Sequence, residues 1–114
     1  MNTKPAKPEP KPPAHLRPAT ARWWCSVVTD YELEPHHVRL LSLAGEAWDR
    51  GQQAREVIAK EGLTYLDFRK QPKARPEISI ERDSRLSFAR LVRELGLDVA
   101  DPDQARPPRV GGKR

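Results

Sequence analysis

Apolar residues recur along this chain in three stretches at helical spacing, separated by prolines and by one short alternating segment. In PATARWWCSVVTDY, Trp23, Val27 and Tyr31 fall at i, i+4 and i+8, with Trp24 and Val28 beside them. This predicts a helix from Pro18, well suited to a first turn, to about Tyr31. A second periodic stretch starts near Pro35 and closes on Gly62, a C′ glycine, for a helix of roughly 39 Å at 1.5 Å per residue. A third runs from Pro76 to Gly96. Between the last two, Leu63, Tyr65 and Phe68 alternate roughly with polar residues, while Pro72 and Pro76 forbid helix, so a short β-hairpin or an extended loop is expected there. No Asn-Gly or Asp-Gly marks its tip.

The ends differ from the middle. Five prolines stand in the first 13 residues, interleaved with Lys4, Lys7 and Lys11, and the far end DVADPDQARPPRVGGKR is again rich in proline, glycine and base. Little there could offset the entropy of ordering. The expected organisation is a disordered basic arm over 1–17, a helical domain over 18–97 and a flexible tail over 98–114. The fold class is mainly α: a three-helix core with one long central helix, a hairpin or loop before the last helix, and disordered termini.

The long helix carries Leu40, Ala44, Ala47, Gly51, Ala54 and Ile58 at spacings of four and three, a coiled-coil-like seam of mostly small residues. Leu41 and Trp48 widen it. Two accounts stand: the seam receives helix one or three of the same chain, or its excess length receives a second chain. In IERDSRLSFARLVRELGLD, one helical face gathers Ile78, Ile80, Ser84, Phe88, Leu91, Val92 and Leu95. Arg85 falls on that face one turn after Glu81 and is expected to pair with it. Arg82, Arg90 and Arg93 surround Leu86 on the other side, a contact surface for DNA phosphate or for a neighbouring subunit's acidic helix.

The chain has 114 residues, a formal net charge of +5 and a mean hydropathy of −0.80, which fits one modest domain with an acidic partner. The charge is uneven. Residues 63–76 hold Arg69, Lys70, Lys73 and Arg75 against Asp67, a net of +3, whereas residues 18–62 are net −2. Arg69, Lys70, Lys73 and Arg75, helped by Lys4, Lys7 and Lys11, are therefore the expected DNA contacts. Asp83 and Glu94 blunt the third-helix arginines, which suit a protein contact better. An acidic second helix makes a poor major-groove reader.

Cys25 excludes an internal disulfide and, in its apolar run, is expected to be a buried inert thiol. No stretch approaches the 18 apolar residues of a membrane span. The sequence contains no phosphate-binding glycine loop. No acidic cluster suggests a two-metal site, and adjacent His36 and His37 diverge by about 100° on a helix. No catalytic residue, metal ligand or cofactor is assigned.

Taken in order, RWWCSVV, YELEPHHVRLLSLAGEAWDRGQQAREVI, EGLTY and the arginine-rich last helix resemble the small terminase subunit of tailed double-stranded-DNA phages and prophages, over roughly residues 15–98. The resemblance implies a non-enzymatic DNA-recognition subunit in the bacterial host cytoplasm, absent from the mature virion. It would form a homo-oligomeric ring and deliver viral double-stranded DNA to the large terminase subunit, the ATPase and nuclease, for packaging into the procapsid. On that reading Leu40, Ala44, Ala47, Gly51, Ala54, Ile58, Arg82, Leu86, Arg90 and Arg93 form the subunit interface. DFRKQPK departs from the family in lacking an Asp-Gly-type turn. Rival classes are a dimeric helical transcription regulator of phage origin, and a structural assembly protein whose charge serves only solubility.

Overall fold

The computed structural model describes residues 10–97. Three helices, α1 (Pro18–Asp30), α2 (Pro35–Glu61) and α3 (Glu77–Leu95), are joined by a turn and by an antiparallel hairpin of β1 (Thr64–Leu66) and β2 (Pro72–Ala74). The helix and hairpin boundaries follow the periodicity and the prolines closely. Pro18 and Pro35 occupy first turns, where a missing N–H costs nothing. Gly62 ends α2 at φ 92°, a conformation that disfavours any side chain, with its N–H bonded to Ile58 O at 2.8 Å. Gly96 ends α3 in the left-handed region.

Two close approaches on α2 organise the packing. A Cβ at Gly45 would lie 3.2 Å from both Leu16 and Thr20, and one at Gly51 would lie 3.3 Å from the Ser84 Cβ. The first glycine seats the chain entering α1; the second lets α3 lie close along α2. Leu41, Ala44, Ala47 and Ala54 are buried between them. Within the chain the seam already packs: Ala44, Ala47 and Ala54 are buried and Gly51 is half-buried beneath Ser84. Leu40 and Ile58, at the seam's ends, are half-buried. On α3 it is Ser84, the buried residue of that helix, that is small enough to sit on Gly51.

The hydrophobic cluster is Leu16, Trp24, Val27 and Leu41, with Leu95 and Leu97 packed against it. On α1 the buried line is Thr20, Trp24 and Val27, so Trp24 and not Trp23 is the core tryptophan, its Nε1 donating to Ser42 Oγ at 3.2 Å. Tyr31 is exposed. Cys25 is exposed too, a correction to the buried thiol, because α1 packs along that single line and leaves the next position facing out. His36 and His37 also do not diverge as expected. Their ring centroids lie 4.1 Å apart, and His37 Nδ1 accepts a bond from Glu34 N at the start of α2.

The arm expected over 1–17 begins its contacts earlier than the domain boundary allowed. Leu16 is core, and His15 and Arg17 reach α2: His15 Nε2 lies 2.9 Å from Glu46, Arg17 N donates to Asp49 Oδ2 at 2.8 Å, and its guanidinium grips Glu56 at 2.8 and 3.1 Å. Asp49 Oδ1 also accepts from Thr20 Oγ1, so one carboxylate fastens the first turn of α1 to α2. The remaining arm, residues 1–9, and the tail 98–114 lie outside the described residues.

Filling the tight approach at α2 tests this packing. Gly51→Leu overpacks the Ser84 contact and should cost about 1–3 kcal/mol. Thermal unfolding should show it, since each kcal/mol moves Tm by roughly 4–8 °C in a domain this small. The Arg17 pair gives a pH signature. Its guanidinium hydrogen-bonds to Glu56 and holds that carboxyl below the usual glutamate value, while Glu56 raises Arg17. A depressed carboxyl stabilises the fold above its ordinary value, and that contribution is lost as pH falls through the lowered one. Carboxyl-resolved NMR titration should place Glu56 low in the wild type and return it to the ordinary range in Arg17→Ala.

Candidate nucleic-acid interface

The hairpin is built for display. Thr64 pairs with Ala74, Tyr65 with Lys73 and Leu66 with Pro72, and both strands are exposed along their length. Period-two alternation then puts Leu63, Tyr65, Lys73 and Arg75 on one face, and Leu66 and Pro72 on the other. The loop is Phe68-Arg69-Lys70, closed by Asp67 N to Gln71 O at 3.0 Å, with Lys70 N bonded to Asp67 O at 2.9 Å and Lys70 at φ 64°. This is the three-residue connection in which a type I turn precedes a left-handed residue, with lysine where glycine is usual.

Asp67 holds the loop together. Its Oδ1 accepts from the amides of Arg69, at 2.8 Å, and Gln71, at 2.9 Å. The one acidic residue of this basic segment is therefore turned onto its own backbone, as turn-forming aspartates are. An aspartate opening a turn was the available sequence signal; counting net charge treats it only as an offset. Arg69, Lys70 and Lys73 are exposed, and none of them joins an ion pair among the described residues.

Arg75 has a different job from the other three. Its Nε donates to Gly62 O at 3.0 Å, and its Nη2 reaches Glu61 O at 3.3 Å and Thr64 O at 3.1 Å, with the guanidinium 6.0 Å from the Tyr65 ring. It satisfies carbonyls at the C-terminal end of α2, where a cation is also favoured by the helix dipole. Its donors tie the base of the hairpin to α2, so its first role is to aim the loop. Lys11 is exposed on the segment that enters α1, and Lys4 and Lys7 lie outside the described residues.

On α3, Arg85 pairs with Glu81 at 3.3 Å as the spacing implied, and Arg55 of α2 approaches the same carboxylate at 3.6 Å. Arg82, Leu86, Arg90 and Arg93 are all exposed, with Arg82 3.5 Å from Asp83. Sequence reasoning missed an aromatic cluster at the junction of the helices. Phe88 stacks at 5.6 Å from Trp23 and 5.0 Å from Trp48, and the three rings with Ala19 and Thr20 line an apolar groove of about 340 Å³. Its parts lie on three different helices, so no local spacing signals it. Among the described residues no group of three or more His, Cys, Asp and Glu could hold a metal, and no helix is long and apolar enough to cross a membrane.

Comparison with known families adds the class to this geometry. A family described as "Phage terminase, small subunit" matches residues 23–109, and the chain belongs to it. That span takes in the hairpin and all of α2 and α3. No curated protein and no solved structure matches the chain. Membership gives the chain a general role in phage genome packaging, as a terminase component of a kind that is generally non-catalytic.

Asp67→Ala should loosen the hairpin tip by about 0.5–2 kcal/mol, by analogy with the removal of a side-chain cap. Amide hydrogen exchange at Arg69 and Gln71 should accelerate, while the helical body keeps its Tm because the strands bury nothing against it.

Proposed function

We propose that this chain is the DNA-recognition subunit of a phage packaging terminase, that it binds viral double-stranded DNA through the hairpin loop, and that it delivers this DNA to the large terminase subunit, the ATPase and nuclease. The observation that carries the reading is the exposed Phe68-Arg69-Lys70 loop and neighbouring Lys73, with the Asp67 carboxylate turned onto the loop's own amides. Three cations on a ribbon that contributes little to the core fit a role toward an external anion. Arg75 supports the patch by anchoring it. Lys11 adds a further charge, and Lys4 and Lys7 extend the basic arm in sequence.

Assembly into a ring is part of the same proposal. With the α2 seam occupied, the surfaces left for subunit contact are the Arg82-Leu86-Arg90-Arg93 face of α3 and exposed apolar residues such as Leu43 and Trp48. Repetition around an oligomer lets a modest patch on each copy act in concert. The place of action is the host cytoplasm, where a phage packages its genome.

Two variants on one duplex at two salt concentrations test this. Changing Arg69, Lys70 and Lys73 together to Ser should weaken binding and lower the slope of log affinity against log salt by about 0.9 for each phosphate that is no longer neutralised. Changing Arg82, Arg90 and Arg93 to Ser should chiefly alter the native mass measured by light scattering. The wild type should hydrolyse no ATP alone and should stimulate or direct a large subunit. An unchanged slope in the loop variant, with DNA binding abolished in a helix variant of wild-type mass, would reverse the assignment. A monomeric wild type at micromolar concentration would remove the ring.

A further inference from the structure

Phe68 is 87% exposed, more than any other large apolar side chain among the described residues. It stands at the first position of the three-residue loop, between strands that end in Leu66 and Pro72. It is not there to fill a core. Beside it is Arg69, whose guanidinium lies 5.3 Å from the ring centroid. A single exposed apolar side chain is ordinary by itself; what sets Phe68 apart is its place on a hydrogen-bonded turn beside exposed cations.

The mounting is stiff. Four hydrogen bonds converge on the turn: Asp67 N to Gln71 O, Lys70 N to Asp67 O, and the amides of Arg69 and Gln71 to Asp67 Oδ1. Arg75 fixes the base to α2. Lys70 at φ 64° also stands where glycine would relieve the backbone, so the turn carries a positive charge at a position with a conformational cost. An aromatic followed directly by two cations on a hydrogen-bonded ribbon, with the preceding Asp67 turned onto the backbone, matches how apolar wedges enter duplex DNA: the cations hold phosphates while the ring parts a base step.

We infer that Phe68 is such a wedge, inserting between adjacent base pairs of duplex DNA and partly unstacking them while Arg69, Lys70 and Lys73 hold the flanking phosphates. This rests on the DNA reading above and adds a site for the bases to a site for the backbone. It also supplies a means of selection without hydrogen bonds to base edges, because pyrimidine–purine steps open more easily than others. The ring would favour DNA containing TA or CA steps over A-tracts of equal length.

The test uses the full chain with Phe68→Ala, Phe68→Leu and the triple Arg69→Ser, Lys70→Ser, Lys73→Ser variant. Binding is read on duplexes carrying 2-aminopurine at a TA step and a donor–acceptor pair at the ends. The wild type should raise 2-aminopurine fluorescence and shorten the end-to-end distance. Phe68→Ala should lose both signals and at least about fivefold in affinity, with the salt slope unchanged, since no counterion is involved. Phe68→Leu, which keeps an apolar wedge, should retain much of each signal. The triple variant should show the opposite pattern, a lowered salt slope. Phe68→Ala that binds and distorts the duplex like the wild type overturns the wedge but leaves the cationic loop standing. So does a Phe68→Ala that changes only the native mass, which would make the tip a protein contact. Tighter binding of single strands than of any duplex, without duplex distortion, also overturns it. A wild type that binds no duplex even at low salt would instead bring down the DNA reading itself.

Discussion

Close backbone approach on α2 is the constraint on which this domain depends. The core proper is small, a cluster of Leu16, Trp24, Val27 and Leu41 with a fringe of half-buried residues. Gly45 and Gly51 remove side chains where Leu16, Thr20 and Ser84 press in. Dispersion contacts across such approaches are individually weak, but they accumulate along two helices lying side by side. Asp49 and Glu56 then supply directional bonds to Arg17 and Thr20 that fix where α1 begins. The acidic character of α2 therefore has a structural use: it grips the basic segment that enters the domain.

The same arrangement separates stability from function. The helices consume the small-residue seam, the buried tryptophan and most of the ion pairs. The hairpin consumes little beyond its own ladder and the Asp67 and Arg75 bonds, so its surface residues can answer to a ligand without harm to the core. Loops carried on rigid scaffolds commonly carry binding for this reason. Here the scaffold extends into the loop through Arg75, whose guanidinium links the end of α2 to the start of β1.

Placing phosphate contacts and an apolar wedge on one ribbon would make the subunit sensitive to how easily DNA deforms as well as to its charge. Charge alone binds any duplex, since backbone contacts carry no sequence information. On the proposed reading the subunit would have to act on one genome among others, and a deformable base step is a feature that a small, largely helical protein could read with a single side chain.

The sequence by itself determined the elements. Proline opened all three helices and glycine closed the second and third, because the missing N–H and the left-handed φ are local properties of single residues. Helical periodicity identified Arg85 with Glu81, and charge counting found the basic loop. Proximity was decided only in three dimensions. The α2 stripe was compatible with a partner inside or outside the chain, and the sequence could not say that Ser84 would pack onto Gly51. Leu16 looked like part of a proline-rich arm until the tertiary fold offered it the hollow at Gly45. Cys25 and Arg75 changed roles for the same reason: which side of α1 is covered, and which carbonyls lie within reach of a guanidinium, depend on elements far away in sequence. Local backbone preference is written residue by residue, whereas burial and partnership belong to the whole fold.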